Sequence, residues 1–210
     1  MNLPLLSVLI PAAGASTRLG ATKQLLKYRG KSLLQNAVNA ANAIDPEEII
    51  VVTGANFEAV QAAVHHPTVH WIHNAWWSSG MGHSIALGAA ALSPSSTGLM
   101  VLLCDQWRIQ PKDLQTLLQI WRANPQRIVV AEVAGVCMPP VIFPASCFEQ
   151  LQNLSGDQGA RSIIDAHPEL VIPIPMKNAA FDLDTKEQLE AMEKQTDTAF
   201  KKPHDDQSPD

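Results

Sequence analysis

Short apolar runs bounded by turn residues alternate with longer stretches of helical period along most of this chain, and no other feature restricts its fold as much. Residues 5–10, 49–53, 69–72, 99–103 and 128–133 read as strands, and residues 32–43, 57–64, 81–92 and 114–121 as the helices between them. A parallel strand pair needs a long crossover, and a crossover helix covers the sheet it leaves. Repeated β-then-α units therefore predict an α/β fold, a Rossmann-like mostly parallel sheet with helices on both faces. Pro139, Pro140 and Pro144 interrupt the pattern, so residues 136–180 read as a less regular lid or acceptor-side extension of one domain spanning 1–194. Ser32 with Gln35 and Thr185 with Gln188 have the spacing of capping boxes, the second opening a final helix that ends near Lys194. Residues 195–210 are polar and read as a disordered tail.

A length of 210 residues with 46% apolar composition is enough to bury one sizeable core. The formal net charge of −5 lacks the broad basic face that a phosphate polymer requires, which speaks against nucleic acid as a partner. No apolar run has the length of a bilayer span, so no membrane association is expected. Cys104, Cys137 and Cys147 form no close pair, and an odd count suits a reducing, cytoplasmic setting.

The run at 5–10 delivers the loop Pro-Ala-Ala-Gly-Ala-Ser-Thr-Arg-Leu-Gly-Ala-Thr-Lys, residues 11–23. Glycine lets a backbone turn and approach a ligand, successive N–H groups can then face an anion, and Arg18 and Lys23 add full positive charge. The result is a phosphate cradle, yet it has neither the Walker spacing nor the Gly-x-Gly-x-x-Gly dinucleotide fingerprint. Asp105 follows the apolar run at 100–103, where a carboxylate is costly unless it faces a cleft or a cation. A divalent ion shared with substrate phosphate is the simplest partner. Asp182 and Asp184 form a second acidic block, and spacing alone leaves open which one faces a metal and whether Asp184 only caps the final helix.

The loop, with Gln24-Leu25-Leu26 after it, is followed in order by Asn74-Ala75-Trp76-Trp77-Ser78-Ser79-Gly80-Met81 with Ser84 and Gly88, Leu102-Leu103-Cys104-Asp105-Gln106, Gly156-Asp157-Gln158-Gly159-Ala160-Arg161, and Asp182-Leu183-Asp184-Thr185. This ordered set resembles the MobA-like nucleotidyltransferases of the molybdenum-cofactor group, which include molybdenum cofactor cytidylyltransferases. The resemblance implies a nucleotide-diphospho-sugar-transferase-like fold and transfer of CMP from CTP to the terminal phosphate of a molybdopterin-type cofactor, with release of pyrophosphate. It implies a nucleotide wall of Ala12, Ala13, Gly14, Ala15, Ser16, Arg18, Lys23, Asn74, Gly80 and Ser84, with Arg18, Lys23 and Asp105 catalytic. Gly156, Asp157, Gly159 and Arg161 then fall on the acceptor side, with Asp157 as a helix cap. Asp105, Asp182 and Asp184 face Mg2+ or Mn2+.

The Ala12-Ala13-Gly14 sequence resembles the cytidylyl-transferring members, whereas guanylyl-transferring ones tend to carry glycine at the position of Ala13. Two positions depart from the family pattern: Trp107 stands where proline is usual, and Met138-Pro139 where Gly-x is usual. Other readings are a cytidylyltransferase for a sugar, polyol or isoprenoid-precursor phosphate, and a non-catalytic chaperone that passes molybdenum cofactor to a molybdoenzyme.

Overall fold

The computed structural model describes residues 3–16, 19–157 and 159–200. Its sheet is built from β1 (Leu6–Ala12), β4 (Glu48–Thr53), β5 (Val69–His73), β6 (Gly98–Val101), β7 (Ile128–Val133), β8 (Val136–Pro144) and β9 (Val171–Pro175) in the order β5-β4-β1-β6-β8-β7-β9. The short β2 (Lys27–Tyr28) and β3 (Lys31–Ser32) pair separately as a hairpin. All strands of the main sheet run parallel except β8, which is antiparallel to β6 and β7.

Alternation along the strands sends side chains to two separate cores. Val8 and Ile10 face α1 (Leu33–Asn42), α2 (Phe57–Ala62) and α4 (Pro111–Ala123), in a cluster with Leu34, Val38, Val60, Leu114 and Trp121. Leu9 faces the other side, with Ile85 of α3 (Met81–Ala90), Leu151 of α5 (Phe148–Gln152) and Ile163 of α6 (Arg161–Ala166). A third cluster, Leu19, Leu33, Trp107, Leu183 and Met192, fastens α7 (Lys186–Phe200) beside the hairpin.

The fold departs from three sequence expectations. Val136–Pro144 is not irregular: it is a full strand between β6 and β7. Val130 pairs with Val141 but Ala131 with Met138, so Pro139 and Pro140 fall at a register shift where no ladder N–H is demanded of them. The final helix runs past Lys194 to Phe200, and residues 201–210 of the expected tail lie outside the described residues. The Ser32 box is half formed, because Ser32 Oγ accepts from Gln35 N at 3.1 Å while the Gln35 side chain donates to Asn39 and accepts from His65 N. The Thr185 box closes in both directions, at 3.3 Å and 2.9 Å.

Candidate active site

From β1 the chain moves to β4 and β5 on one side and returns to place β6 on the other, so the loops leaving the carboxyl ends of β1 and β6 diverge. Such a switch point opens a crevice in a parallel sheet. Here the crevice is a cleft of about 390 Å³ lined by Gly14, Ser16, Lys23, Asp105, Asp157 and Asp184 among others. The sequence places the Gly14 loop and Asp105 after strands, and the fold puts both in this one cleft.

The loop is held from behind by Gln24, which is buried and donates through Nε2 to the carbonyls of Ala12 at 3.0 Å and Gly14 at 2.9 Å. Ala12 and Ala13 are buried, and Ala13 O is taken by Ala55 N, so these two residues shape the loop from beneath. A Cβ on Gly14 would meet no protein atom within 4 Å; the space there is the cleft itself. Ser16 adopts φ 54°, and its Oγ accepts from Lys23 N at 3.3 Å, closing the loop onto the 3-10 turn Lys23–Leu25. Ala15 is half-buried, and Arg18 lies outside the described residues.

Lys23 Nζ lies 2.5 Å from Asp105 Oδ2 and 3.1 Å from Asp184 Oδ1. Burial disfavours the ammonium, but Asp105 and then Asp184 more than offset that cost, and the pKa sits above the ordinary 10.5. Asp105 is 8% exposed, and its Oδ1 is buried with no hydrogen-bond partner. Such an orphaned oxygen on a carboxylate that lines a cleft is suited to a cation. The neighbouring Cys104 thiol is pushed up to about 12 by burial and then by Asp105, which keeps it neutral and unreactive.

The acidic block divides. Asp184 turns inward to Lys23, while Asp182 is exposed, accepts weakly from Gln188 Nε2 at 3.4 Å and does not line the cleft. Leu183 between them is fully buried in the third cluster and fixes that orientation. Among the described residues no group of three His, Cys, Asp or Glu side chains converges as a metal cage; of the expected trio of carboxylates, Asp105 and Asp184 meet at Lys23 and Asp182 does not.

The nucleotide and acceptor blocks meet at Gly80 and Gly156. Gly82 N donates to Gly156 O at 2.9 Å, and a Cβ on Gly80, whose φ is 105°, would stand 2.2 Å from that carbonyl oxygen. Asn74 and Ser84, expected in the nucleotide wall, are buried against each other instead, Asn74 Nδ2 donating to Ser84 Oγ at 2.9 Å; they brace the start of α3. Asp157 lines the cleft and is not the cap of α6, whose N-cap is Ala160. Gly159 and Arg161 border a second, apolar hollow of about 230 Å³ that shares Met81 and Leu103 with the cleft and is walled by Cys137 and Met138. Arg161 makes an exposed ion pair with Asp165 at 3.5 Å, one turn away.

Sequence reasoning missed Gln24 and Gln106. Gln106 donates to the carbonyls of Pro139 at 2.6 Å and Ala179 at 2.9 Å, fixing the Asp105 loop to β8. The place of both glutamines inside the family-like blocks, directly after Lys23 and Asp105, was the available signal. Trp107, where the family pattern has proline, packs edge-on against Tyr28 and Phe181 and carries the third cluster.

A family model described as the MobA-like NTP transferase domain matches residues 8–171. The nicotine blue oxidoreductase of Paenarthrobacter nicotinovorans is 33% identical over 199 residues, covering 90% of this chain and 96% of that protein. The purine catabolism protein PucB of Bacillus subtilis (strain 168) is 29% identical over 174 residues, covering 78% and 82%. In fold the chain is similar to Rv0371c from Mycobacterium tuberculosis H37Rv, with a TM-score of 0.79, 24% identity, and coverage of 91% of this chain and 98% of that one. The complex of Rv0371c with manganese superposes with a TM-score of 0.75 at 24% identity, covering 90% and 97%. The matched stretch takes in the Gly14 loop, Lys23, Asp105 and Asp157, all in one cleft at the switch point of the sheet, and the chain thus belongs to the MobA-like NTP transferase family of nucleotidyltransferases.

Proposed function

We propose that this protein transfers CMP from CTP to the terminal phosphate of a molybdopterin-type molybdenum cofactor and releases pyrophosphate. The observation that carries the reading is Lys23 held between Asp105 and Asp184 at the mouth of the Gly14 loop. An oxygen of the acceptor phosphate attacks the α-phosphorus, the bond from that phosphorus to the β-phosphate oxygen breaks, and pyrophosphate leaves with the electron pair. The nucleophile is already on the acceptor, so the protein's work is alignment and neutralisation.

Two polyanions repel, and one charge pair at 4 Å is worth about 4 kcal/mol at an effective dielectric of 20, so a few fixed cations decide the rate. Lys23, with Arg18 from the same loop, meets the triphosphate, and the backbone of Gly14 to Ser16 frames it. Asp105 and Asp184 would hold Mg2+ or Mn2+ against the phosphate oxygens, where the ion supplies charge neutralisation and Lewis acidity. The orphaned Asp105 oxygen fits that role.

The apolar hollow beside the cleft supports a flat, polarisable acceptor over a sugar or polyol phosphate. Met81, Cys137 and Met138 offer sulfur and hydrocarbon, with Arg161 at the rim for an anionic group, whereas a polyol would need many hydrogen-bonding partners. Ala13 under the loop, by its resemblance to cytidylyl-transferring members, favours CTP. A molybdoenzyme or its chaperone would then receive the product.

Pyrophosphate release on mixing the protein with Mg2+, molybdopterin cofactor and either CTP or GTP tests the proposal. Release with CTP and molybdopterin cofactor supports it, and a clear GTP preference reverses the nucleotide assignment. Release only with a sugar, polyol or isoprenoid-precursor phosphate changes the acceptor. Binding of CTP and cofactor without release points to the carrier reading.

A further inference from the structure

Two neighbouring residues fasten the loop that leaves β1. Lys23 N donates to Ser16 Oγ at 3.3 Å, and Gln24 Nε2 donates to the carbonyls of Ala12 at 3.0 Å and Gly14 at 2.9 Å. Gln24 is 1% exposed, and its Oε1 is buried with no hydrogen-bond partner. An unpaired amide oxygen at that depth is costly, and a methionine would fill similar space without the cost. What the amide alone supplies is a pair of N–H donors that draw two loop carbonyls toward it. With both donors on the loop, the oxygen is left facing nothing that can donate to it.

A trans peptide unit keeps its C=O and the following N–H in one plane and pointing in opposite directions. Because the Gly14 carbonyl is drawn to Gln24, the Ala15 N–H points away from Gln24. Neither Ala15 N nor Ser16 N donates to an acceptor among the described residues. Both residues are half-buried, and Gly14 and Ser16 on either side of the Ala15 N–H line the cleft. Two successive N–H groups without acceptors, beside a lysine ammonium, form the kind of backbone concavity that takes an anion.

We propose that Gln24 is a positioning residue for phosphate binding. By fixing the Gly14 carbonyl it aims the Ala15 N–H into the cleft, where this group and the Ser16 N–H grip the anionic tail of the nucleotide next to Lys23. Gln24 itself touches no phosphate; it acts through the loop. The inference rests on the nucleotide-binding role proposed above for the cleft, and is independent of which base or acceptor the cleft takes.

The test uses the full chain with inorganic tripolyphosphate and Mg2+ as the probe. Labelling with 15N-alanine and carbonyl-13C glycine makes the Ala15 amide visible by NMR, and an Ala15→Ser sample identifies it. A saturable shift of that amide is expected in the wild type. By calorimetry, Gln24→Met, which keeps the bulk and removes both donors, should bind tripolyphosphate at least about tenfold more weakly while its affinity for cytidine stays within about twofold. A merely structural role would weaken both ligands alike. An Ala15 amide that stays still at saturation, a tripolyphosphate affinity in Gln24→Met within about twofold of the wild type, or equal losses for tripolyphosphate and cytidine overturns the inference and leaves the nucleotide reading standing. Failure of the wild type to bind tripolyphosphate overturns both. The Ala15 shift is read in the wild type, so the test holds even if Gln24→Met fails to fold.

Discussion

The Lys23 ammonium lies 2.5 Å from the Asp105 carboxylate and also contacts Asp184, so one lysine beside the Gly14 loop pairs with two carboxylates of the cleft. A divalent ion placed on those carboxylates meets a cation already there. On the proposed function, nucleotide phosphates would offer Lys23 another anion and free the pair, which would make metal and triphosphate binding mutually reinforcing. Lys23→Met is expected to bind Mn2+ at least about tenfold more tightly than the wild type in the absence of nucleotide, as read by electron paramagnetic resonance. The same variant loses roughly a hundredfold to a thousandfold in turnover. Equal Mn2+ affinity in the two proteins would show that the lysine does not compete for the site.

The inward turn of Asp184 and the outward turn of Asp182 separate two residues that the sequence treats alike. Asp105→Asn and Asp184→Asn should each lower turnover at limiting Mg2+ by about a hundredfold or more with far-ultraviolet circular dichroism unchanged. Asp182→Asn should stay within about twofold, as befits an exposed side chain away from the reacting groups. A large defect in Asp182→Asn alone would reverse the metal assignment.

Two glycines give opposite expectations. An added methyl at Gly14 meets open cleft, so Gly14→Ala should leave thermal stability nearly unchanged and raise the KM for triphosphate about tenfold. At Gly80 the methyl meets the backbone of Gly156 and Asp157, and the residue holds a positive φ. Gly80→Ala should therefore cost about 1–3 kcal/mol in urea unfolding and impair acceptor binding as the two loops separate.

Alkaline titration bears on Cys104 and Lys23 in the same direction. Folding raises the Cys104 thiol from 9.0 to about 12 and raises Lys23 above 10.5. Each group therefore contributes its full share to stability below its unfolded value, and that share is lost as pH climbs through the folded one. Stability should hold up to about pH 9 and fall beyond it, and Lys23→Met should lose less between pH 9 and 11 than the wild type. Iodoacetamide at pH 8.5 should label Cys104 in urea but not in the native protein, by peptide mass spectrometry; rapid native labelling would mean that the thiol is not buried.

Trp107 ties the Asp105 loop to α7. Trp107→Ala should cost about 3 kcal/mol or more, because a buried indole is replaced by a cavity that the third cluster cannot close. Proteolysis near the start of α7 should rise in parallel, and unchanged protease resistance would detach Trp107 from the docking of that helix.

Local patterns carried the elements and the loops between them. The alternation of residues such as Val8, Leu9 and Ile10 dictated a sheet covered on both faces, and the position of Gly14 and Asp105 after apolar runs dictated where a cleft could open. These features depend on near neighbours, on period and on turn chemistry, so the chain states them openly. Long-range choices were decided elsewhere. The prolines at 139, 140 and 144 argue locally against a strand, yet β6 and β7 supply the pairing and a register shift accommodates the missing donors. Asn74 and Ser84 look like ligand-facing polar residues and are spent on each other, because at their depth an unpartnered amide would be costly. Asp184 rather than Asp182 reaches Lys23 because Leu183 anchors in a core assembled from four distant segments. Sequence thus set which groups could face a cleft, and burial in the assembled fold decided which of them line it.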